Sequence, residues 1–125
     1  MIRITPAHER LLVILIAMHS VVVGAILFIA PQWGLRFGGW DGIDPEFFGR
    51  QAGIFHFVLA TGYLIEYFRY RGVILLISAK CIAVGFLTIM HFIDPNPWAV
   101  WVSSVGDGMM AAMVWWVHRA ARDAR

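Results

Sequence analysis

The sequence has little charge and almost no cysteine. Charged residues make up 14% of its 125 residues, and hydrophobic residues make up 60%. Soluble domains average about 25% charged and about 45–50% apolar residues, so this composition excludes a disordered chain, a coiled coil and an ordinary soluble enzyme. The formal net charge of +2 also argues against a nucleic-acid partner. The single cysteine, Cys81, excludes a disulfide within the chain, and we expect it to be a small packing residue.

Long apolar runs fill most of the chain. A membrane-spanning helix needs about 20 apolar residues, so four spans would use roughly 80 of the 125 residues. The sequence therefore predicts an all-α integral membrane protein with a single domain over residues 1–125, a four-helix bundle connected up-down-up-down. The run from Leu11 to Ala30 is long for the apolar core of a signal peptide and ends in a poor cleavage site, so we predict that it is the first span.

Prolines and capping residues mark the expected helix boundaries. Thr5-Pro6, Asp44-Pro45 and Asn96-Pro97 each place a capping side chain before a proline, which suits the first helical position. The predicted helices cover about residues 6–30, 45–69, 73–93 and 97–119, with an outer loop at residues 31–44 that is rich in glycine and tryptophan. The other connections are short, so the last three helices are predicted to be antiparallel neighbours.

Arginine is distributed unevenly between the two predicted sides of the membrane. One side carries seven arginines: Arg3, Arg10, Arg69, Arg71, Arg119, Arg122 and Arg125. The other side carries Arg36 and Arg50, together with four acidic residues: Asp41, Asp44, Glu46 and Asp94. The positive-inside rule predicts that both termini are cytoplasmic, and we assign the chain to a bacterial inner membrane.

Each predicted span carries one polar side chain at a similar depth. These four residues are His19, His56, Lys80 and Asp107. An ionisable group in the middle of a span costs about 2.5–3.5 kcal/mol on insertion scales, so each one needs a partner or a function. We expect all four to face the bundle interior and to be candidates for binding a ligand or a proton. The structural alternative is a Lys80–Asp107 pair that fixes the register of two helices.

Three more histidines lie 11 residues from a member of this group. The separated pairs are His8 with His19, Lys80 with His91, and Asp107 with His118. Eleven residues are close to three helical turns, so the members of each pair are expected to share a face. This spacing fits a wet path through the bundle, and it also fits three independent interfacial histidines.

No metal or cofactor is predicted. Two alternatives stay open: a metal site made by His19, His56 and Asp107, and a haem held by His19 and His56. The sequence contains no HExxH or CxxC motif that would support either. Hydrogen-bonded core histidines are therefore the default interpretation.

Arg50, Glu66 and His91 are secondary site candidates. Arg50 follows Glu46 by four residues, which predicts an interfacial ion pair at the outer end of the second helix. An inward-pointing Arg50 would instead bind an anionic head group or a carboxylate. Glu66 lies near Arg69 at the inner end, where the same ion-pair interpretation applies.

A stripe of small residues, Ser104, Gly108 and Ala112, recurs every four residues on the last helix. Such stripes allow close helix approach in membranes. This one predicts either packing within the bundle or contact with other membrane subunits or a second copy of the chain.

The sequence leaves three functions open, and whether the protein is an enzyme stays undecided. The first, slightly favoured because no catalytic motif is present, is a subunit or assembly partner of a larger membrane complex. The second is a binding or transport module for a small molecule or proton. The third is a membrane-embedded enzyme that acts on a lipid or quinone-like substrate, with a histidine or Asp107 as acid or base.

Overall fold

The computed structural model describes residues 4–123, which are largely helical and contain no strand. The helices are α1 (Pro6–Ile29), α2 (Pro31–Phe37), α3 (Phe47–Ile65), α4 (Ile74–Ile93) and α5 (Trp98–Asp123). A π-helical segment, Glu66–Tyr70, continues α3. The all-α prediction is confirmed.

Three of the described helices, α1, α4 and α5, are long and apolar enough to cross a membrane. Much of their apolar surface points away from the protein interior: Ile82 and Phe92 on α4 are 73% and 79% exposed. Continuous exposed apolar surface of this kind marks a lipid-facing or partner-facing protein, so the structure supports a multi-pass membrane protein. The α3 helix is not among the three, and Arg50, Gln51 and His56 lower its hydropathy.

The predicted outer loop contains a helix that the sequence analysis missed. Pro31 follows α1 and is also the first residue of α2, a position that proline favours because it needs no N–H donor there. Gly38 ends α2. A Cβ atom on Gly34 would lie 2.8 Å from the Ile26 side chain, so α2 folds back against the last turns of α1.

The three predicted caps have different outcomes. The Thr5 backbone N–H donates to His8 Nδ1 at 3.2 Å, and the Thr5 hydroxyl lies 2.7 Å from the same nitrogen, so Thr5 does stabilise the start of α1. The prediction for Asp44 is wrong, because α3 begins two residues after Pro45 and has no side-chain cap. The side-chain amide of Asn96 donates to the carbonyls of Met90 and Asp94, so it stabilises the end of α4.

The hydrophobic core lies at one end of the molecule, which we call the turn end because it contains the turn between the π-helical segment and α4. The core residues come from α1, α3, the π-helical segment, the turn before α4, α4 itself and α5: Val13, Ile16, Tyr63, Tyr67, Val73, Leu76 and Val114. The opposite end, which holds α2 and residues 38–46, is called the loop end. The long helices are therefore tied together by apolar packing mainly at the turn end.

Toward the loop end the helices form two tight pairs. The α1 helix packs most extensively on α3, and α4 packs most extensively on α5. A Cβ atom on Gly24 would lie 2.8 Å from the Gly53 carbonyl oxygen, so these glycines set the closest approach of α1 and α3. The hydroxyls of Thr88 and Ser104 lie 2.9 Å apart and join α4 to α5. Space remains between the two pairs.

Candidate functional site

The four polar side chains that the sequence analysis singled out surround one cavity. His19 comes from α1, His56 from α3, Lys80 from α4 and Asp107 from α5, and the cavity between them has a volume of about 450 Å³. His19 and His56 lie near the middle of α1 and α3, and Lys80 and Asp107 lie in the first halves of α4 and α5, so the cavity lies between the turn end and the loop end. We call these four side chains the polar floor.

Lys80 and Asp107 contact each other within the polar floor. Lys80 Nζ donates a hydrogen bond to Asp107 Oδ1 at 2.6 Å, and the two side chains are 7% and 16% exposed. A charged group in such a dry position is costly unless an opposite charge lies beside it. The contact therefore balances one formal charge with another where α4 faces α5.

The two histidines of the polar floor keep free hydrogen-bonding capacity. His19 is exposed to the cavity and has no hydrogen bond within residues 4–123. His56 is half-buried, and its Nδ1 atom is inaccessible and has no partner in the described part of the chain. Neither ring is a hydrogen-bonded core histidine, which was the default interpretation from the sequence.

A second cavity, of about 440 Å³, adjoins the first on the side of the loop end. The two share four lining residues: Val23, His56, Val102 and Ser103. Aromatic side chains of α2, the following loop and α5 line its outer part: Trp33, Phe37, Trp40 and Trp98. We call the two cavities together the cleft; its outer part is apolar, and its inner part ends at the polar floor.

Aromatic contacts hold the mouth of the cleft together. The rings of Trp33 and Phe37 stack with centroids 5.5 Å apart, and Phe37 meets Trp98 edge-on at 5.9 Å. These contacts connect α2 to the start of α5. The segment that was predicted to be a loop thus forms part of the wall of the cleft.

Arg50 does not point into the cleft. Its guanidinium donates to the Phe28 carbonyl oxygen at 2.6 Å and to a Glu46 carboxylate oxygen at 2.8 Å. The contact with Glu46 is the one that the four-residue spacing predicted. The contact with Phe28 connects the start of α3 to the end of α1, so Arg50 joins two helices.

Glu66 and His91 also lie outside the cleft. The two carboxylate oxygens of Glu66 accept hydrogen bonds from the backbone N–H groups of Ile74 and Leu75, each at 2.9 Å, and so cap α4. The expected interfacial pairing of Glu66 with Arg69 is replaced by this cap. His91 is exposed and its ring lies 5.3 Å from that of Trp101.

The predicted sharing of an interior face has different outcomes at the three outlying histidines: His118 faces α1, whereas His8 and His91 are exposed. His8 is exposed and contacts Thr5, so it does not face the bundle interior. His118 contacts Glu9, a buried carboxylate on α1 that the sequence analysis did not select. With His91 on the outer surface, the structure brings these histidines into no continuous path with the polar floor.

The small-residue stripe on α5 serves more than one surface. Ser104 is buried and bonded to Thr88, whereas Ala112 is exposed. Gly108 and Ala112 line a shallow apolar groove between α4 and α5 on the outside of the protein. Cys81 is exposed and lines the same groove, so the expectation that it is a packing residue is wrong.

The polar floor does not form a compact set of metal ligands. In residues 4–123 no three histidine, cysteine, aspartate or glutamate side chains lie close enough together to hold a metal ion. His19, His56 and Asp107 surround the cavity from three helices without meeting at one point. The arrangement is suited to hydrogen bonding with a molecule inside the cleft.

Comparison with protein-family models, with curated proteins and with solved structures finds no match to this chain.

Proposed function

We propose that the protein is a membrane-embedded binding module that takes up a small amphiphilic molecule in the cleft. The observation that carries this proposal is the polar floor, to which each of the four long helices contributes one side chain at the inner end of an apolar cleft. Ligand sites usually combine apolar walls with a few placed polar groups, in volumes of about 300–1,000 Å³. The two adjoining cavities, of about 440 and 450 Å³, fall in this range.

In the proposed arrangement α1, α3, α4 and α5 all cross the membrane as a four-helix bundle connected up-down-up-down. The 19 residues of α3 and its extensive packing along α1 support a fourth span. The turn end faces the cytoplasm, because it carries most of the described arginines: Arg10, Arg69, Arg71, Arg119 and Arg122. Arg3 and Arg125, which add to this bias, lie outside the described residues. The bacterial inner membrane stays our proposal for the location.

The mouth of the cleft then lies near the outer boundary of the bilayer. Trp33, Trp40 and Trp98 occupy this level, where the amphipathic rings of tryptophan are enriched. A molecule from the outer leaflet enters between α2 and α5 and places its polar end on the floor. An enzymatic role for His19 or Asp107 requires the same bound molecule and therefore depends on the same test.

Photo-cross-linking in vesicles tests the binding proposal. Three diazirine-labelled tracers share one C18 chain and carry a glycerol, a sulfonate or a trimethylammonium head. We expect at least one tracer to label residues of the cleft such as Val23. Val102→Trp fills the cleft and should abolish this labelling, because Val102 lines both cavities.

Val105→Trp provides the matched control. Val105 is also an exposed valine on α5, but it does not line either cavity, so labelling of the cleft should be unchanged. The proposal fails if all three tracers label only lipid-facing residues, or if Val102→Trp leaves the labelling of Val23 intact.

A second candidate function, a subunit of a larger membrane assembly, is favoured by the groove between α4 and α5. Gly108, which is partly buried, and the exposed Ala112 line this groove and would let another helix approach closely. We propose a second copy of this chain as the partner. Cross-linking of the native Cys81 with a short bis-maleimide should then give a covalent dimer in membranes, with Cys81→Ser as the control. A monomer under these conditions would exclude this homodimer contact.

A further inference from the structure

We infer that the head group of the bound amphiphile is uncharged and presents carbonyl or hydroxyl oxygens to the polar floor. This inference rests on the proposed binding function and specifies the class of ligand. Two features of the floor carry it: the balance of its charges and the hydrogen-bond donors that it leaves unused.

The charge balance disfavours a charged head group. The ionisable residues that line the cleft in the described part of the chain are His19, His56, Lys80 and Asp107. Lys80 already lies 2.6 Å from Asp107, so an anion that approaches Lys80 also approaches Asp107, and a cation meets the reverse problem. Either ion would add an unbalanced charge to a dry region, which is costly. An uncharged head group adds none.

The unused donors of the floor favour oxygen acceptors. A neutral imidazole has one N–H donor and one acceptor nitrogen. The His56 Nδ1 atom has no partner in the described structure, and buried donors are orphaned less often than acceptors, so we place the proton on Nε2. The Lys80 ammonium group has three N–H donors, and Asp107 accepts one of them. In residues 4–123 these donors have no hydrogen-bond acceptor other than Asp107.

The outer part of the cleft accommodates the apolar part of the ligand. Ile26, Leu27 and Leu35 line it together with the aromatic side chains at the mouth, and this part carries little polar surface. An acyl chain fits such a space, and so does a flat ring with an isoprenoid chain. A neutral glycerolipid and a quinone share the required oxygens, so both sources belong to the proposed class.

The glycerol, sulfonate and trimethylammonium tracers distinguish an uncharged head group from a charged one. The glycerol-headed tracer should label the cleft strongly, and the sulfonate and trimethylammonium tracers should label it weakly or not at all. Unlabelled monooleoylglycerol and decylubiquinone are then added as competitors: the one that suppresses labelling at the lower concentration identifies the preferred source. If a charged tracer labels the cleft as strongly as the neutral one, the inference about the head group is wrong while binding in the cleft stands. If no tracer reaches the cleft, the binding proposal itself fails.

Variants of the floor connect the selectivity to its cause. Asp107→Asn leaves Lys80 without its counter-charge, so the preference should shift toward the sulfonate tracer. Lys80→Met should shift it toward the trimethylammonium tracer. These opposite shifts cannot arise from a general loss of folding. If neither variant changes the order of the three tracers, the charge-balance argument is overturned.

Two histidine variants, made separately, test the donor argument independently. His56→Phe keeps a ring of similar size but removes the N–H donor, so labelling by the glycerol-headed tracer should fall. His91→Phe is the control, because His91 is exposed outside the cleft and its ring contacts Trp101. Equal labelling of the two variants by the glycerol-headed tracer would show that His56 does not donate to the ligand.

Discussion

The side chains of the polar floor line one cavity because they lie at similar depths in their four helices. The rise of an α-helix is fixed at 1.5 Å per residue, so the position of His19, Lys80 or Asp107 between two span ends gives its depth. The structure brings these residues and His56 to one cavity. Which neighbour each one contacts depends on helix rotation and tilt, and these follow from packing across the whole bundle.

Glu9 shows how the same helical spacing can be applied to the wrong residues. The buried face of α1 contains Glu9, Val13, Ser20 and Gly24, and Glu9 lies 11 residues before Ser20. The pair His8 and His19 has the same spacing one position earlier, and Glu9 is not predicted inside because glutamate is rarely buried unless it is paired. The small residues Ser20 and Gly24 are the sequence signal for the buried face that carries Glu9.

The contact between Lys80 and Asp107 should be costly to break from one side. Asp107→Asn or Lys80→Met alone leaves one charge buried without its partner, so each should lower the free energy of unfolding by about 3–5 kcal/mol. The double variant should recover most of this loss, because it removes both charges. Equilibrium unfolding in detergent measures the three changes.

The exposed contact between Glu46 and Arg50 gives the matched control. Both side chains are 44% exposed, so Glu46→Gln should change the free energy of unfolding by less than about 1 kcal/mol. Losses from Asp107→Asn and Lys80→Met that simply add in the double variant would show that the two side chains do not stabilise each other.

At the scale of elements, the long helices were predictable and α2 was not. Apolar runs and prolines placed the ends of α1 and α4 within a residue or so of the observed bounds. The sequence predicts a loop over Pro31–Phe37 because Pro31 indicates the end of a helix and several glycines follow. The position of α2 depends on tertiary contacts, Gly34 against Ile26 and Phe37 against Trp98, which no local pattern reveals.

The α1–α3 contact should be sensitive to a single methyl group. A Cβ atom on Gly53 would lie 2.6 Å from the Gly24 carbonyl oxygen and 2.8 Å from the Phe28 nitrogen, so backbone atoms would have to move. Gly53→Ala and Gly24→Ala should each lower the free energy of unfolding by about 1–3 kcal/mol, as overpacked sites do. Thermal and chemical unfolding in detergent test this expectation.

Gly85→Ala is the control for the same substitution in a helix. A Cβ atom on Gly85 would meet no atom within 4 Å. Because alanine favours helix over glycine, this variant should be unchanged or more stable by up to about 1 kcal/mol. If Gly85→Ala destabilises as much as Gly53→Ala, close helix contact is not the cause.

At the scale of the whole molecule, the position of the core explains the cleft. The large buried side chains Tyr63, Tyr67 and Leu76 fill the turn end, where the long helices come together. Toward the loop end each long helix packs closely on one other helix. Gly24 and Gly53 make the contact between α1 and α3, and Thr88 and Ser104 make the contact between α4 and α5. The space between the pairs extends from the aromatic mouth to the polar floor.

The number of spans can be decided by labelling two exposed positions, Asp41 in the loop and Asp123 at the end of α5. Asp41→Cys and Asp123→Cys are each made in a Cys81→Ser background and treated with a membrane-impermeant maleimide in intact cells.

If α1, α3, α4 and α5 all cross, the chain makes one crossing before residue 41 and three more before residue 123, so the two positions lie on opposite sides. The arginine bias of the turn end further predicts that Asp41→Cys reacts from outside and that Asp123→Cys reacts only after permeabilisation. If α3 does not cross, only two crossings separate the positions, and both cysteines react from the same side. That result would remove the fourth span and the four-helix topology while leaving α1, α4 and α5 as membrane helices.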